Sequence, residues 1–485
     1  MRYSPLLTDL YELTMLAGYL EEGMTEQHAT FDLFFRTNPY EGGYAIFAGL
    51  APALEYLENL RFTPEELVYL TTLGLFTPRF IEFLRDFRFR GRVTAPPEGT
   101  VVFAGEPILS VEGSLAEAQF VETGLLTIIN YQTLVATKAA RMVHAAAGGT
   151  VVEFGLRRAH GPNGGLSCAR AATVGGVRGS SNVLAGMEYG IPVRGTQAHS
   201  WVMAFPDELT SFRAYASAFP DSTILLVDTW DTLGSGVPHA ITVARELRER
   251  GNELQGIRID SGDLVYLSRQ ARTMLDDAGF PGVRIVGSND LDEYLIDSMK
   301  NEGSRIDIYG VGTRLAVCSG PGGGALGGVY KLTELEGRPT LKRSEDPAKS
   351  TLPGRKEVRR GMSADGRFLQ DVICTPGEEP APGDTVYDPY NPLRQVALPA
   401  GIRWSRLGKT VMEDGVRCGG EESLEVMADR SHREVALLPE GCERLTNPHR
   451  YKVSVSKRLQ ALREELLAQI NNQTTIHRDG QDKQE

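Results

Sequence analysis

The residues able to do chemistry stand at the ends of short apolar runs. After residues 191–193 come Arg194, Gly195, Thr196, Gln197 and His199, before residues 201–205 turn apolar again. Glycine, hydroxyl, amide and imidazole in succession collect donors at a point where a strand stops. An imidazole there can be a nucleophile that takes a phosphoryl group. A lone histidine can equally be a satisfied group at a strand–helix junction. Similar groups recur: Gly155 with Arg157 and Arg158, Asp228-Thr-Trp-Asp231, Asp260-Ser-Gly-Asp263, Gly287-Ser-Asn289 and Gly310-Val-Gly-Thr313. Each alone is also a good turn or helix cap. Together they suit an anionic ligand set. Arg258 and Asp260 alternate and point the same way. Arg258 can fork onto a carboxylate or stack on a flat ring. Asp260 and Asp263 can take ribose hydroxyls or Mg²⁺. Gly312 and Thr313, with Ser288 and Asn289, can present N–H and hydroxyl groups to a phosphate monoester. There is no Walker A or dinucleotide fingerprint at these positions.

The elements that must position these groups follow a βα cadence. Apolar runs at 151–154, 191–193, 224–227, 257–259, 283–286, 306–309 and 326–330 alternate with helical patterns at 169–187, 203–219, 237–250, 264–278 and 291–301. Such alternation predicts a parallel sheet, and seven or eight units closing on themselves make a barrel. The special residues then share one mouth. Ahead of this lie a helix carrying Tyr11, a strand on Phe31, Leu33 and Phe35, and a loop with Arg36 beside a glycine pair. Helices are expected at 50–60, 64–73 and 78–87, a β layer at 91–113, and a long helical region at 115–147 broken near Asn130-Tyr131. After Tyr330 the cadence stops. Residues 341–360 are basic and suit either phosphates or a solvated loop. A β-rich stretch, an amphipathic helix at 453–470 and a polar tail from Gly480 follow. The expected division is 1–125, an N-terminal α+β domain; 126–335, the barrel; and 336–485, a C-terminal segment packing on the first domain.

Lys plus Arg is 51 against 63 for Asp plus Glu, a net charge of −12. An acidic chain is a poor partner for nucleic acid. The five cysteines, at 168, 318, 374, 418 and 442, show no C-x-x-C pair, which argues against a disulfide scaffold or a zinc site and for a cytoplasmic protein. Pro5, Asp9 and Glu12 interrupt the opening residues, which do not read as a signal peptide. No run reaches the length of a membrane span.

The motifs TDLYELTM (8–15), FRTNPYEGG (35–43), EFGLRRAHG (153–161), GTQAHSW (195–201), GIRIDSGDL (256–264), GSND (287–290) and YGVGTRL (309–315) occur in this order. In them the chain resembles the bacterial nicotinate phosphoribosyltransferase family over nearly its whole length. The resemblance implies the type II phosphoribosyltransferase fold, an irregular α/β barrel beside a sheet domain built from both chain ends. It implies that nicotinate and phosphoribosyl pyrophosphate give nicotinate mononucleotide and pyrophosphate in NAD salvage, with ATP hydrolysis coupled through a phosphohistidine and with Mg²⁺ required. By position, His199 is the phosphoacceptor, and Tyr11, Thr196 and Arg258 contact nicotinate, with Phe154 stacking on the ring. Gly312, Thr313, Ser288 and Asn289 hold the ribose phosphate, while Arg157, Asp260 and Asp263 line the sugar and pyrophosphate region. No residue is assigned to a metal. The resemblance also implies a homodimer, with Tyr11 and Arg36 serving the neighbour's pocket.

Other readings fit the residues less well. Nicotinamide-using relatives place an acid where this chain has Ser180-Ser181-Asn182, which favours a carboxylate substrate. Quinolinate enzymes are shorter and lack the GTQAH histidine. A barrel lyase or isomerase wants a catalytic lysine or an acid/base pair at strand ends, and none stands out. A non-catalytic regulator does not explain an intact polar mouth.

Overall fold

The computed structural model describes residues 3–344 and 350–481. The chain divides into two compact units: Met1–Thr133 with Ala325–Ser423 and Arg433–Glu485, and Leu134–Gly324 with Leu424–His432.

The second unit holds the βα repeats. Strands Thr150–Glu153, Ile308–Val311, Arg284–Ser288, Gly256–Ile259 and Ile224–Leu226 lie side by side in that order, all parallel. Apart from Ile224 and Ile308, which open their strands and are partly exposed, their Val and Ile residues are buried, as strands covered on both faces require. Helices Val237–Glu249, Leu264–Asp277 and Glu293–Asn301 return the chain, at the places their periodicity predicts. Because the strands are parallel, their C-terminal ends share one edge. This is the α/β architecture expected from the cadence.

Three details of the cadence need correction. Beyond Thr150–Glu153 the sheet continues only as single parallel bridges, Glu153 to Ser180 and Ser180 to Val193. The strand expected at 191–193 is thus one bridge, because Pro192 has no N–H to give a ladder. The helix expected over 169–187 is two, Gly161–Val174 and Val183–Tyr189, separated at Gly176, whose φ is +100°. The helix expected over 203–219 is also two, His199–Met203 and Glu208–Ala218, since Asp207 starts a new one by accepting from Thr210 N at 2.8 Å.

The first unit contains a seven-stranded antiparallel sheet and a six-stranded mixed sheet. Its core includes Phe31 stacked on Tyr330 at 4.9 Å. Tyr330 lies in Gly328–Leu335, which pairs antiparallel with His28–Phe35. The run at 326–330 is therefore not a barrel strand. The helices at Leu50–Glu58, Pro64–Thr72 and Pro78–Arg85 form as expected, with Thr63 and Glu66 closing a capping box. The long helical region breaks at Val121, between Leu115–Phe120 and Glu122–Ala145, rather than at Asn130. Of the basic stretch, 345–349 lie outside the described residues. Lys356 pairs with Asp32 at 2.8 Å and Arg360 with Asp371 at 2.7 Å, so these two cations serve the fold. The C-terminal region is the strand Val453–Ser456 followed by the helix Lys457–Gln481, which takes in the first residues of the expected tail. No helix among the described residues is long and apolar enough to cross a membrane.

One buried carboxyl in this unit gives a stability test. Glu12 is inaccessible and accepts from Gln119 Nε2 at 2.9 Å, and burial pushes its carboxyl up to about 7. The folded state then binds a proton that the unfolded chain has lost, so stability falls as pH rises from about 4.5 to about 7. Glu12→Gln keeps the acceptor for Gln119 and has nothing to titrate. Its unfolding free energy, measured by denaturant titration, should match wild type near pH 4.5 and exceed it above pH 7, by at most about 3 kcal/mol. A margin independent of pH would refute the assignment.

Candidate active site

The site is built from Arg258 outward. Arg258 sits in the Gly256–Ile259 strand, in register with Leu226 on one side and Val286 on the other. Its Nε donates to Ser288 Oγ at 2.8 Å, Nη1 to Thr196 Oγ1 at 3.0 Å and Nη2 to Asp260 Oδ1 at 2.6 Å. Ser288 Oγ in turn donates to Asp260 Oδ1, closing a ring of contacts. The guanidinium lies 5.6 Å from the centre of the Phe154 ring, within cation–π range. Three strand ends and the loop after the Val193 bridge therefore meet at one side chain. Guanidinium has five N–H groups and three are used, which leaves one on each terminal nitrogen. The Phe154 ring needs the glycine beside it, because a Cβ at Gly310 would lie 2.7 Å from the ring.

Beside this hub is a histidine–carboxylate pair. His199 Nε2 is 3.2 Å from Asp228 Oδ1. Asp228 is almost wholly buried, and its Oδ2 accepts from Asp260 N at 2.8 Å and Ser261 Oγ at 2.6 Å. With the carboxylate as acceptor, the imidazole proton sits on Nε2 and the Nδ1 lone pair is available. Asp228 thus ties the His199 loop to the Asp260 loop. Sequence reasoning noted the Asp228 cluster but assigned it no role; its position directly after a buried run was the available signal.

The remaining candidates divide. Ser288 is buried, while Asn289 (φ 130°) and Asp290 (φ 44°) take backbone conformations unusual for residues with side chains. Asp290 pairs with Arg314 at 3.5 Å, joining this loop to the one bearing Gly312 and Thr313. Gly155 and Gly312 approach closely, since a Cβ at Gly155 would lie 2.9 Å from Gly312 O. Arg157 is exposed in the short turn Leu156–Arg158. Asp263 caps the next helix by accepting from Tyr266 N at 3.0 Å, so one of its oxygens is structural. Tyr11 and Arg36 belong to the first unit, Tyr11 half-exposed and Arg36 over the Phe34 ring at 5.9 Å. Glu153 opens the EFGLRRAHG motif, and its sequence position alone suggests no task. It is buried, accepts from Ser180 Oγ and Gly155 N, and burial pushes its carboxyl up while both hydrogen bonds oppose this. One oxygen joins the wall at Ser180 and the other holds the turn at Gly155.

Known proteins match the chain along most of its length. The nicotinate phosphoribosyltransferase family model matches residues 150–363, and its N-terminal and C-terminal domain models match 6–130 and 355–463. A nicotinate phosphoribosyltransferase of Bacillus subtilis is 42% identical over 458 residues, covering 93% of each chain. The chain belongs to the nicotinate phosphoribosyltransferase family. The crystal structure of human nicotinic acid phosphoribosyltransferase superposes with a TM-score of 0.84 at 32% identity, over 95% of this chain and 99% of that one. A nicotinate-nucleotide pyrophosphorylase from Pyrococcus furiosus shares the fold, with a TM-score of 0.69 at 22% identity, over 89% of this chain and 95% of that one. In this chain of the family, Arg258 gathers Phe154, Thr196, Asp260 and Ser288, and Asp228 gathers His199, Asp260 N and Ser261.

Proposed function

We propose that this protein joins nicotinate to phosphoribosyl pyrophosphate, giving nicotinate mononucleotide and pyrophosphate, and couples the reaction to ATP hydrolysis through His199. The observation that carries the reading is the Arg258 hub beside the His199–Asp228 pair in a chain of this family.

The nicotinate carboxylate takes the two remaining Arg258 N–H groups and lies beside Thr196, whose hydroxyl holds Arg258 in place, and its ring lies against Phe154. The pyridine nitrogen forms the bond to the anomeric carbon as the bond to pyrophosphate oxygen breaks. That nitrogen has no proton to lose, so no protein base is needed. Asp260 steadies the positive charge that grows on the sugar, and Arg157 meets the departing pyrophosphate. Ser288, Asn289, Gly312 and Thr313 hold the ribose phosphate, with Asp263 at the sugar. His199 Nδ1 attacks the terminal phosphorus of ATP and ADP leaves; water later takes the phosphoryl group as phosphate. The new charge of about −2 at His199 organises the pyrophosphate site, and its loss drives product release.

Mg²⁺ takes one or two carboxylates together with substrate phosphates. Asp260 fits such a set, since Oδ1 carries both of its side-chain contacts and Oδ2 remains. Bound there, the ion would neutralise pyrophosphate charge. We further propose a cytoplasmic homodimer in which Tyr11 and Arg36 serve the neighbour's site, and an organisation of N-terminal domain, barrel and C-terminal segment at 1–125, 126–335 and 336–485.

Purified protein given nicotinate, phosphoribosyl pyrophosphate, Mg²⁺ and ATP should release pyrophosphate and ADP together. Preference for nicotinamide over nicotinate would overturn the substrate assignment.

A further inference from the structure

The barrel wall has a gap that backbone pairing does not close. One edge ends at the single bridge on Val193 and the other at Ile224–Leu226, and no ladder joins them among the described residues. Between Gly195 and Ala198 the chain belongs to no regular element and makes no backbone hydrogen bond to a neighbouring strand. This is the stretch that carries Thr196 and leads into His199. It is also exposed. Between Ile191 and Val202, Gln197 is the one buried residue, at 7%. With its amide nitrogen facing the carbonyl, Gln197 donates to Ile224 O at 2.8 Å and accepts from Leu226 N at 3.1 Å. These are the two bonds that a paired strand would have made to that edge. A side chain stands in for a strand.

We propose that Gln197 is a positioning residue for the reaction: its amide closes the barrel and sets the place of Thr196 and His199 on either side of it. The inference rests on the proposed roles of those two residues. Thr196 Oγ1 donates to Gln197 O at 3.1 Å while accepting from Arg258, so the main chain at Gln197 also buttresses the Thr196 hydroxyl beside the nicotinate. His199 is two residues on, and its reach to Asp228 depends on the loop path between. The phosphate loops at Ser288 and Thr313 hang from other strands and do not depend on this contact. Gln197 should therefore govern nicotinate and His199, and leave the binding of phosphoribosyl pyrophosphate alone.

The test uses Gln197→Ala and Gln197→Glu in the full chain. Alanine removes both bonds and leaves Ile224 O and Leu226 N unpaired. It should raise the KM for nicotinate about tenfold or more and change that for phosphoribosyl pyrophosphate by less than about twofold. In Gln197→Glu the ionised carboxylate still accepts from Leu226 N but has no proton for Ile224 O. Protonation restores the donor, and burial raises the pH at which that occurs. The ratio of nicotinate KM to wild type should be about ten at pH 8 and fall towards one by pH 6. The titratable groups around the loop, His199, Asp228, Arg258, Asp260 and Arg194, are common to both proteins, so the wild-type profile cancels them. Labelling of His199 by ATP should recover over the same range. A ratio constant with pH, or equal increases in KM for both substrates, would overturn the proposal. Should the glutamate variant not stay folded at pH 8, the KM split of the alanine variant decides. Absence of phosphate on wild-type His199 would remove only the phosphoacceptor reading, and the nicotinate measurements would still judge Gln197.

Discussion

His199→Asn should abolish the acid-labile phosphate that ATP leaves on the protein and cut nicotinate-stimulated ATP hydrolysis to below about 1% of wild type. Asparagine is close to imidazole in size, so the helix at His199–Met203 and the Gln197 contact remain, but no ring nitrogen is left to attack phosphorus. Glycosyl transfer itself should persist at a reduced rate, because its nucleophile is the substrate's own nitrogen. The partner variant separates chemistry from packing. Asp228→Asn has the same shape, yet its amide can turn a donor towards Nε2 and favour the wrong tautomer. Phosphate incorporation should fall about 10²-fold or more in that variant, with nicotinate binding little changed. Mass spectrometry of the acid-labile adduct measures both. A phosphate that survives in His199→Asn on another residue would sink the role assigned here.

Arg258→Ala should lower kcat/KM for nicotinate about 10³-fold, the largest effect expected of a substitution outside the phosphorylation step. The magnitude follows from what is left behind. Asp260 loses the cation that offsets it, Thr196 and Ser288 each lose a donor, and the nicotinate carboxylate meets no charge. Arg258→Lys should rescue little. A single ammonium cannot reach Ser288, Thr196 and Asp260 at once in the fixed geometry of a guanidinium. Labelling of His199 by ATP should stay within about tenfold of wild type, since Asp228 holds His199 without Arg258. Steady-state kinetics with nicotinate and with ATP measure the contrast. An equal loss on both sides would make Arg258 a structural ion pair.

The composition of this site was legible because short apolar runs and the polar residues after them are local features. Val and Ile in runs of three to five read as buried strands, and five of those runs are strands of the parallel sheet. The helix expected at 237–250 and the helix Val237–Glu249 nearly coincide, since periodicity and burial agree there. Where the reading failed, a local breaker was outweighed or overlooked. Gly176 and Asp207 each split an expected helix, while Asn130 did not, because a helical face can carry one polar residue without losing its ladder. The run at 326–330 was misplaced for another reason. A strand's hydrophobicity says that it is buried and not which sheet buries it, and Tyr330 is buried against Phe31.

What the sequence by itself determined is the set of residue types, their order, and the fact that they follow strands which parallel topology must align at one edge. That was enough to expect His199, Arg258 and the loops at Ser288 and Thr313 on one side of the strands. Only the tertiary structure decided who touches whom. Arg258 finds Thr196 62 positions away and Ser288 30 positions away, and Asp228 finds His199 across 29. Glu153 is bound into the wall at Ser180, and Gln197 supplies the two bonds that a missing strand does not. Periodicity encodes the element to which a residue belongs. A hydrogen bond depends on ångström distances and on the direction of side chains from different elements, and those are settled when the strands are laid beside one another.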